Sequence, residues 1–372
     1  MNGNISFVFP QDGDCINKND GRVSGGSILL EALVSAPEDG DVYICGKKAV
    51  FFGGLWRAEV TASDYRTVLT AADVSSGAEC EVTVLRFADP VGKFRLSSDD
   101  NILFLQDLTA NAEKYKSIFD NPYLALYKKA HDLCGAKVHL NLFYEFIPDE
   151  RHFSDKSREY FNLSMMTDKF RGEFEANSDW LKLAFHSNSE FPDKPYKNAT
   201  AETLRADYER ILREIRRFAG ESSVSNTTTV HWGEANREVV RALRGLGLCS
   251  LTGYFRRNAR GEPLVSYYFD AEELDHIGSR DFFCDTAEDM IFAQIDLVLN
   301  EKTYSDVMAA LPLIANDPQR GGFVSLMIHE QYFHGDYRRH LPDFEARILD
   351  ACRFLHQKGY VGAHISEITR KY

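Results

Sequence analysis

The chain is short of several things that would have fixed its class at once. Its 7 cysteines include no CxxC pair and no metal-knuckle spacing. They are scattered at positions 15, 45, 80, 134, 249, 284 and 352, and an odd, dispersed set argues for buried thiols over a disulfide framework. No run approaches the roughly 18 consecutive apolar residues a membrane helix requires, so no membrane association is expected. Met1-Asn-Gly-Asn lacks the charged start and apolar core of a secretory leader, which leads to the expectation of a soluble, cytoplasmic protein. Positive charge is scarce as well. The formal net charge is -13, and the lysines and arginines lie scattered among acids with no basic stripe, which disfavours nucleic-acid binding. No internal repeat is visible.

What is present is globular: 44% of the 372 residues are hydrophobic and 27% charged, enough for two domains. Residues 1–90 hold short runs of β character, such as "ISFVF", "SILLEALV", "LWRAEV" and "ECEVTVLRF". Turn-rich pieces such as "PQDGD", "NKNDG" and "SSGA" separate them. Strands at this spacing without a helix predict a small all-β, Ig-like sandwich. From 91 to 372 the texture changes to apolar strands alternating with amphipathic helices. The strands are expected at 94–98, 136–144, 181–185, 227–230, 249–253, 290–296, 322–328 and 361–365. The helices are expected in "NPYLALYKKAHDLCG", "ETLRADYERILREIRRFAG", "ANREVVRALRGLG", "YSDVMAALPLIA" and "PDFEARILDACRFLHQKG". Four of these five end in glycine, an expected helix stop. Repeated strand-then-helix units predict an α/β domain with parallel strands, read as a barrel.

In such barrels the chemistry gathers where strands end. Asp99-Asp100, Tyr144-Glu145, His186, His231-Trp232, Tyr254 and His329-Glu330-Gln331 all follow apolar runs. An adjacent acid pair is ordinarily a helix cap or a solvated turn. At a strand end, however, neighbouring residues point in different directions, so one carboxylate can bind a cation while the other accepts a proton from water. His186 opens "HSNSE", and if that segment turns helically, Glu190 shares its face and could join it on one divalent metal. His329, closing "FVSLMIH", is placed to act as a general acid oriented by a carboxylate, with Glu330, Asp281 and Asp285 as candidates. His231-Trp232 combines a group able to bind a hydroxyl or a metal with a ring that packs on sugar faces.

"LSSDDN", "HSNSE", "HWG" and "LMIH", in that order, resemble the motif series of the NodB-type polysaccharide deacetylases of carbohydrate esterase family 4. The resemblance covers roughly residues 90 to 372. It implies a distorted (β/α) barrel of the glycoside hydrolase/deacetylase type and a metal-dependent hydrolase that removes an acyl group from a carbohydrate. It also implies roles: Asp99 as catalytic base, Asp100 and His186 as ligands of a divalent cation such as Zn²⁺, and His329 as catalytic acid. The family's second metal histidine falls on Glu190, so Glu190 or His231 supplies the remaining ligand. Asn101 stands where the family usually has glycine, and "HWG" stands where it has Arg-x-Pro, which leaves the arginine that holds the base without a counterpart. Trp232, Tyr254, Glu145 and Glu330 are the candidate substrate contacts.

Two rival readings share these residues. One is glycoside hydrolysis by paired carboxylates, Glu145 and Glu330, without a metal. The other is a carbohydrate-binding protein that kept the barrel and lost the chemistry. The expected partner in every case is a carbohydrate, with homo-oligomerisation left open.

Overall fold

The computed structural model describes residues 5–369; the outermost residues of the two expected domains, 1–4 and 370–372, lie outside the described residues. Among the described residues no helix precedes Leu103–Ala110. The preceding chain forms two five-stranded sheets. In the first, the strand Ser27–Ser35 pairs antiparallel with Ser6–Phe9, Arg22–Ser24 and Leu55–Ala62. In the second, Arg66–Asp73 pairs antiparallel with Ala78–Arg86 and Val42–Ile44. Alternation explains the packing. Along Ser27–Ser35 the buried positions are Ile28, Leu30, Ala32 and Val34, one face of a period-two strand. They share one apolar cluster with Leu69, Val82 and Val84 of the second sheet.

The remainder is mixed α/β. A sheet of parallel strands runs in the order Leu181–Ser187, Val138–Phe143, Lys93–Asn101, Phe323–His329, Leu297–Val298, with Val361–Gly362 also on Lys93–Asn101. A second sheet orders Thr227–Thr228, Ser250–Gly253, Met290–Gln294 and an antiparallel Phe282–Asp285. The expected barrel does not form one closed ladder. The two sheets are separate and meet where the chain passes from Met290–Gln294 into Leu297–Val298, and at a single bridge between Leu183 and Val224. Side chains replace part of the missing ladder: the Ser325 N–H donates to the Asp296 carboxylate at 2.9 Å.

The five expected helices form. Ala201–Ala219 starts at Thr200, whose hydroxyl accepts the Thr203 N–H, and stops at Gly220, a cap at each end. Leu204, Tyr208, Ile211, Leu212, Ile215 and Phe218 recur every three or four residues and are buried, so one stripe faces the core. Each such apolar side chain contributes about 1.5–3 kcal/mol on burial. Four helices escape the sequence reading, Leu103–Ala110, Arg171–Ala176, Ala271–Ile277 and Ile365–Ile368. The first has no side-chain cap at Ile102; its cap comes from a residue far along the chain, described below.

The β-rich segment is fastened to the α/β part. Cys15, Leu85 and Phe87 pack with Phe282, Cys284, Ile291 and Phe323. Beside them the buried Asp14 carboxylate lies 2.7 Å from His276 Nε2 and 3.3 Å from Arg280 Nε, while Arg280 donates to Asp20. Among the described residues no helix is long and apolar enough to cross a membrane.

Candidate metal centre

The acid pair lies at the end of Lys93–Asn101, where the pairing with Val138–Phe143 slips between Ser98 and Asn101. This bulge is closed by a side chain. Asn101 Nδ2 donates to the carbonyls of Ser98 (2.6 Å) and Asn141 (3.0 Å), and its Oδ1 accepts the Tyr123 hydroxyl at 2.7 Å. An asparagine thus has a stated task at the position where the resemblance implies glycine. Asp100 takes φ +61°, a left-handed conformation that Asp adopts more readily than most residues. The two carboxylates therefore diverge.

Asp100 Oδ1 lies 3.1 Å from His186 Nε2 and 3.5 Å from His231 Nδ1, and those two nitrogens are 3.1 Å apart. Each imidazole has its other nitrogen against a backbone carbonyl: His186 Nδ1 at 2.5 Å from Thr229 O, His231 Nε2 at 3.0 Å from Glu190 O. A carbonyl can only accept, so both of these nitrogens carry hydrogen and donate. The inward nitrogens are then left with lone pairs aimed at one another and at a carboxylate oxygen. Three converging acceptors repel unless a positive charge lies among them. Asp100, His186 and His231 are accordingly a group that could hold a metal ion, their ligand atoms all within 4.8 Å of one another. The N₂O donor set and the carbonyl-fixed tautomers fit zinc.

Electrostatics agree with that geometry. Burial alone would raise the Asp100 carboxyl, but the imidazoles of His329, His186 and His231 overcome it and hold the group well below its ordinary value. Without a cation, a proton on His186 Nε2 meets the same convergence: burial opposes charge on His186, but hydrogen bonding to Asp100 and the charge of Asp99 raise its pKa. The second Asp100 oxygen accepts from Gln331 Nε2 at 2.7 Å. Phe143 packs against both ligand rings, at 5.3 Å from His186 and 4.9 Å from His231.

Asp99 is buried and accepts from Asn141 Nδ2 at 2.5 Å. Four residues earlier on the same strand, and so on the same face, Arg95 is 1% exposed. None of its guanidinium nitrogens has a hydrogen-bond partner among the described residues. Burial lowers the Arg95 pKa to about 10, and the charge of Asp99 opposes that shift. His329 stands opposite Asp99 in the strand register, its Nε2 4.0 Å from Asp100 Oδ2.

Several expectations are corrected. The residue that orients His329 is Asn300, whose Oδ1 accepts from His329 Nδ1 at 2.9 Å. Asp281 instead accepts the Phe323 N–H, and Asp285 pairs with Arg237 and Tyr268. Glu330 is fully buried and accepts three backbone N–H groups, of Ile102 (2.6 Å), Leu103 (2.9 Å) and Phe104 (2.6 Å). It caps the helix Leu103–Ala110, so its oxygens are committed, which removes the Glu145–Glu330 pair as a glycosidase couple. His186 lies in an extended strand that runs to Ser187 before the chain bends, so Glu190 does not share a helical face with it. The backbone carbonyl of Glu190 supports His231. Its carboxyl faces a cavity, where burial, followed by the charge of Asp100, raises its pKa to about 8.

That cavity, about 280 Å³, is bounded by Asp100, Glu145, Glu190 and Gln331 and by a largely apolar wall. Glu145 accepts from Tyr160 (2.8 Å) and Asn188 (2.9 Å). Trp232 stands 46% exposed beside His231, with ring centroids 6.0 Å apart. Tyr254 lies outside the cavity, its ring under the Arg256 guanidinium at 4.8 Å. Asn300, Asn141, Thr229 and Arg95 are not singled out by the sequence, whereas Gln331 is, as the end of "HEQ" after an apolar strand.

No family model and no curated protein matches this chain. Among solved structures, similarity is found to BA3943, a CE4 family pseudoenzyme from Bacillus anthracis, at 10% identity over 78% of this chain and 74% of that one, TM-score 0.32. A BA3943 mutant with restored enzymatic activity gives 11% identity, 80% and 79% coverage and TM-score 0.33. The Bc1960 peptidoglycan N-acetylglucosamine deacetylase gives 10% identity, 75% and 88% coverage and TM-score 0.35. With scores this low, the geometry above carries the functional reading alone.

Proposed function

We propose that the chain is a metal-dependent hydrolase that removes an acyl group from an amide or ester of a carbohydrate, on an α/β frame of two open sheets braced by an N-terminal two-sheet sandwich. The observation that supports this is the convergence of the Asp100, His186 and His231 acceptor atoms, which is reconciled by a divalent cation such as Zn²⁺. A bound cation would supply Lewis acidity, acidifying a water and polarising an acyl carbonyl. The chain's own residues do the rest. Asp99, held by Asn141 and lying above the buried positive charge of Arg95, takes the proton from the attacking water. His329, with its Nδ1 hydrogen fixed on Asn300, directs Nε2 inward and protonates the departing nitrogen or oxygen. Gln331 orients Asp100 through its second oxygen. Trp232, exposed at the rim, offers a face on which a sugar ring can pack.

The test is metal content and turnover measured together. The wild type is expected to bind zinc and to release acetate from N-acetylglucosamine oligomers. Asp100→Asn is expected to lose both. Asp99→Asn is expected to keep zinc and lose turnover, by the roughly 100- to 10,000-fold that a positioned acid or base contributes. Full turnover by Asp100→Asn, or by the wild type stripped with EDTA, would overturn the proposal.

A further inference from the structure

The cavity beside the triad is larger and more apolar than an acetyl group needs. Its apolar wall is built by Phe143, Phe146, Ile147, Phe153, Phe191 and Tyr337, while Asp149, Arg151 and His152 also line it. Its volume of about 280 Å³ equals the liquid share of roughly nine water molecules, whereas an acetyl group has only three heavy atoms. Position decides which part of a substrate would enter. Asp100 lines both the triad and the cavity, whereas Asp99, His329, Trp232 and Tyr254 do not line the cavity. The group that receives a proton from His329 therefore leaves on the far side of the reacting carbon. The remaining substituent of that carbon, its acyl chain, is directed into the apolar wall.

We infer that this cavity is an acyl-chain site and that the chain's substrate carries an aliphatic acyl group longer than acetyl, of about six carbons, on a carbohydrate amine or hydroxyl. The inference rests on the hydrolase reading for its orientation, and on the cavity for its chemistry. In the reaction, the bond between the acyl carbon and the sugar nitrogen or oxygen breaks and a bond from that carbon to the water oxygen forms. One water proton goes to Asp99, and the leaving atom takes a proton from His329, giving a free carboxylic acid and the deacylated sugar. The carboxyl of Glu190, which has no hydrogen bond or ion pair among the described residues, faces the same space and can meet a polar atom near the carbonyl.

The experiment uses N-acetyl-, N-butanoyl- and N-hexanoyl-glucosamine with the full chain. Binding is followed by tryptophan fluorescence in metal-free protein, and acid release is followed in zinc-loaded protein. Each buried methylene is expected to tighten binding about fourfold, so hexanoyl, with four more methylenes, binds about 250-fold tighter than acetyl. Phe146→Ala and Phe191→Ala are expected to flatten that slope without changing zinc content. Acetyl binding as tightly as hexanoyl, or a slope unmoved by both variants, overturns the acyl-site inference whatever the turnover. A retained slope with no acid released at any chain length overturns the hydrolase reading and leaves the site standing.

Discussion

Replacing Glu330 by glutamine isolates what a remote carboxylate does for a helix that lacks a local cap. In the wild type Oε2 takes the N–H groups of Ile102 and Leu103, and Oε1 takes that of Phe104. A glutamine can place its one oxygen where two of these bonds are made. Its amide hydrogens then face the Phe104 N–H, leaving that buried donor unmet at about 1–3 kcal/mol. Loss of the negative charge from the positive end of the helix removes up to about 2 kcal/mol more in a buried setting. The expected destabilisation is about 2–4 kcal/mol, read as a lower midpoint in urea unfolding at unchanged slope. Glu330→Ala exposes all three donors and should cost about 3–9 kcal/mol, which can exceed a domain's whole stability. The helix begins at Leu103, three residues beyond Asp100, so zinc affinity should fall with it. Wild-type stability in Glu330→Gln together with abolished turnover would refute the cap and return Glu330 to the list of reacting carboxylates.

Two further outcomes follow from the site and its underside. His231→Ala is expected to lose zinc affinity by more than the ~10–100-fold typical of an outer-shell partner, while Glu190→Gln retains it; equilibrium competition with a chromophoric chelator separates the two, and the reverse order would move the third ligand to Glu190. Below the site, His139 and His364 have their rings 6.0 Å apart and buried Nε2 atoms without partners among the described residues. Burial holds His139 well below its ordinary value and His364 at about 3. Both folded values lie under the unfolded ~6.5, so the unfolded chain takes up more protons as pH falls below that value, and stability is lost there. Between pH 7.5 and 5.5 each ring held neutral costs on the order of 1 kcal/mol. That loss should vanish from the pH slope of a His139→Asn/His364→Asn variant; an identical slope would show that neither ring is held neutral.

Much of this was legible because it was local. Period-two burial in "SILLEALV", the stripe of Ala201–Ala219 and the stops at Gly135 and Gly220 are all written within a few residues of where they act. The ends of apolar strands point to Asp99, Asp100, His186, His231 and His329 from sequence alone. Several misses share a cause: partners separated by long stretches of chain. Ile102 gives no helix signal because its cap lies 228 residues away. Asn300 looks like an ordinary polar residue until the fold carries it to His329. Glu190 was put on a helical face because the strand's continuation through Ser187 cannot be read from "HSNSE". Closure into a barrel was over-read, since strand-helix alternation says nothing about Thr227–Thr228 being too short to complete a ladder.

The left-handed backbone at Asp100 bears on how this site should be probed by mutation. Alanine there removes a carboxylate and also places a Cβ-bearing residue without a polar side chain at φ +61°, a conformation costing about 1–2 kcal/mol for most L-residues. A loss seen with alanine would therefore mix a vanished ligand with a distorted strand end. Asparagine tolerates the same dihedral and keeps the shape, so the difference between the two variants separates charge from geometry. The bulge thereby supplies its own control, one that no other position in the triad offers.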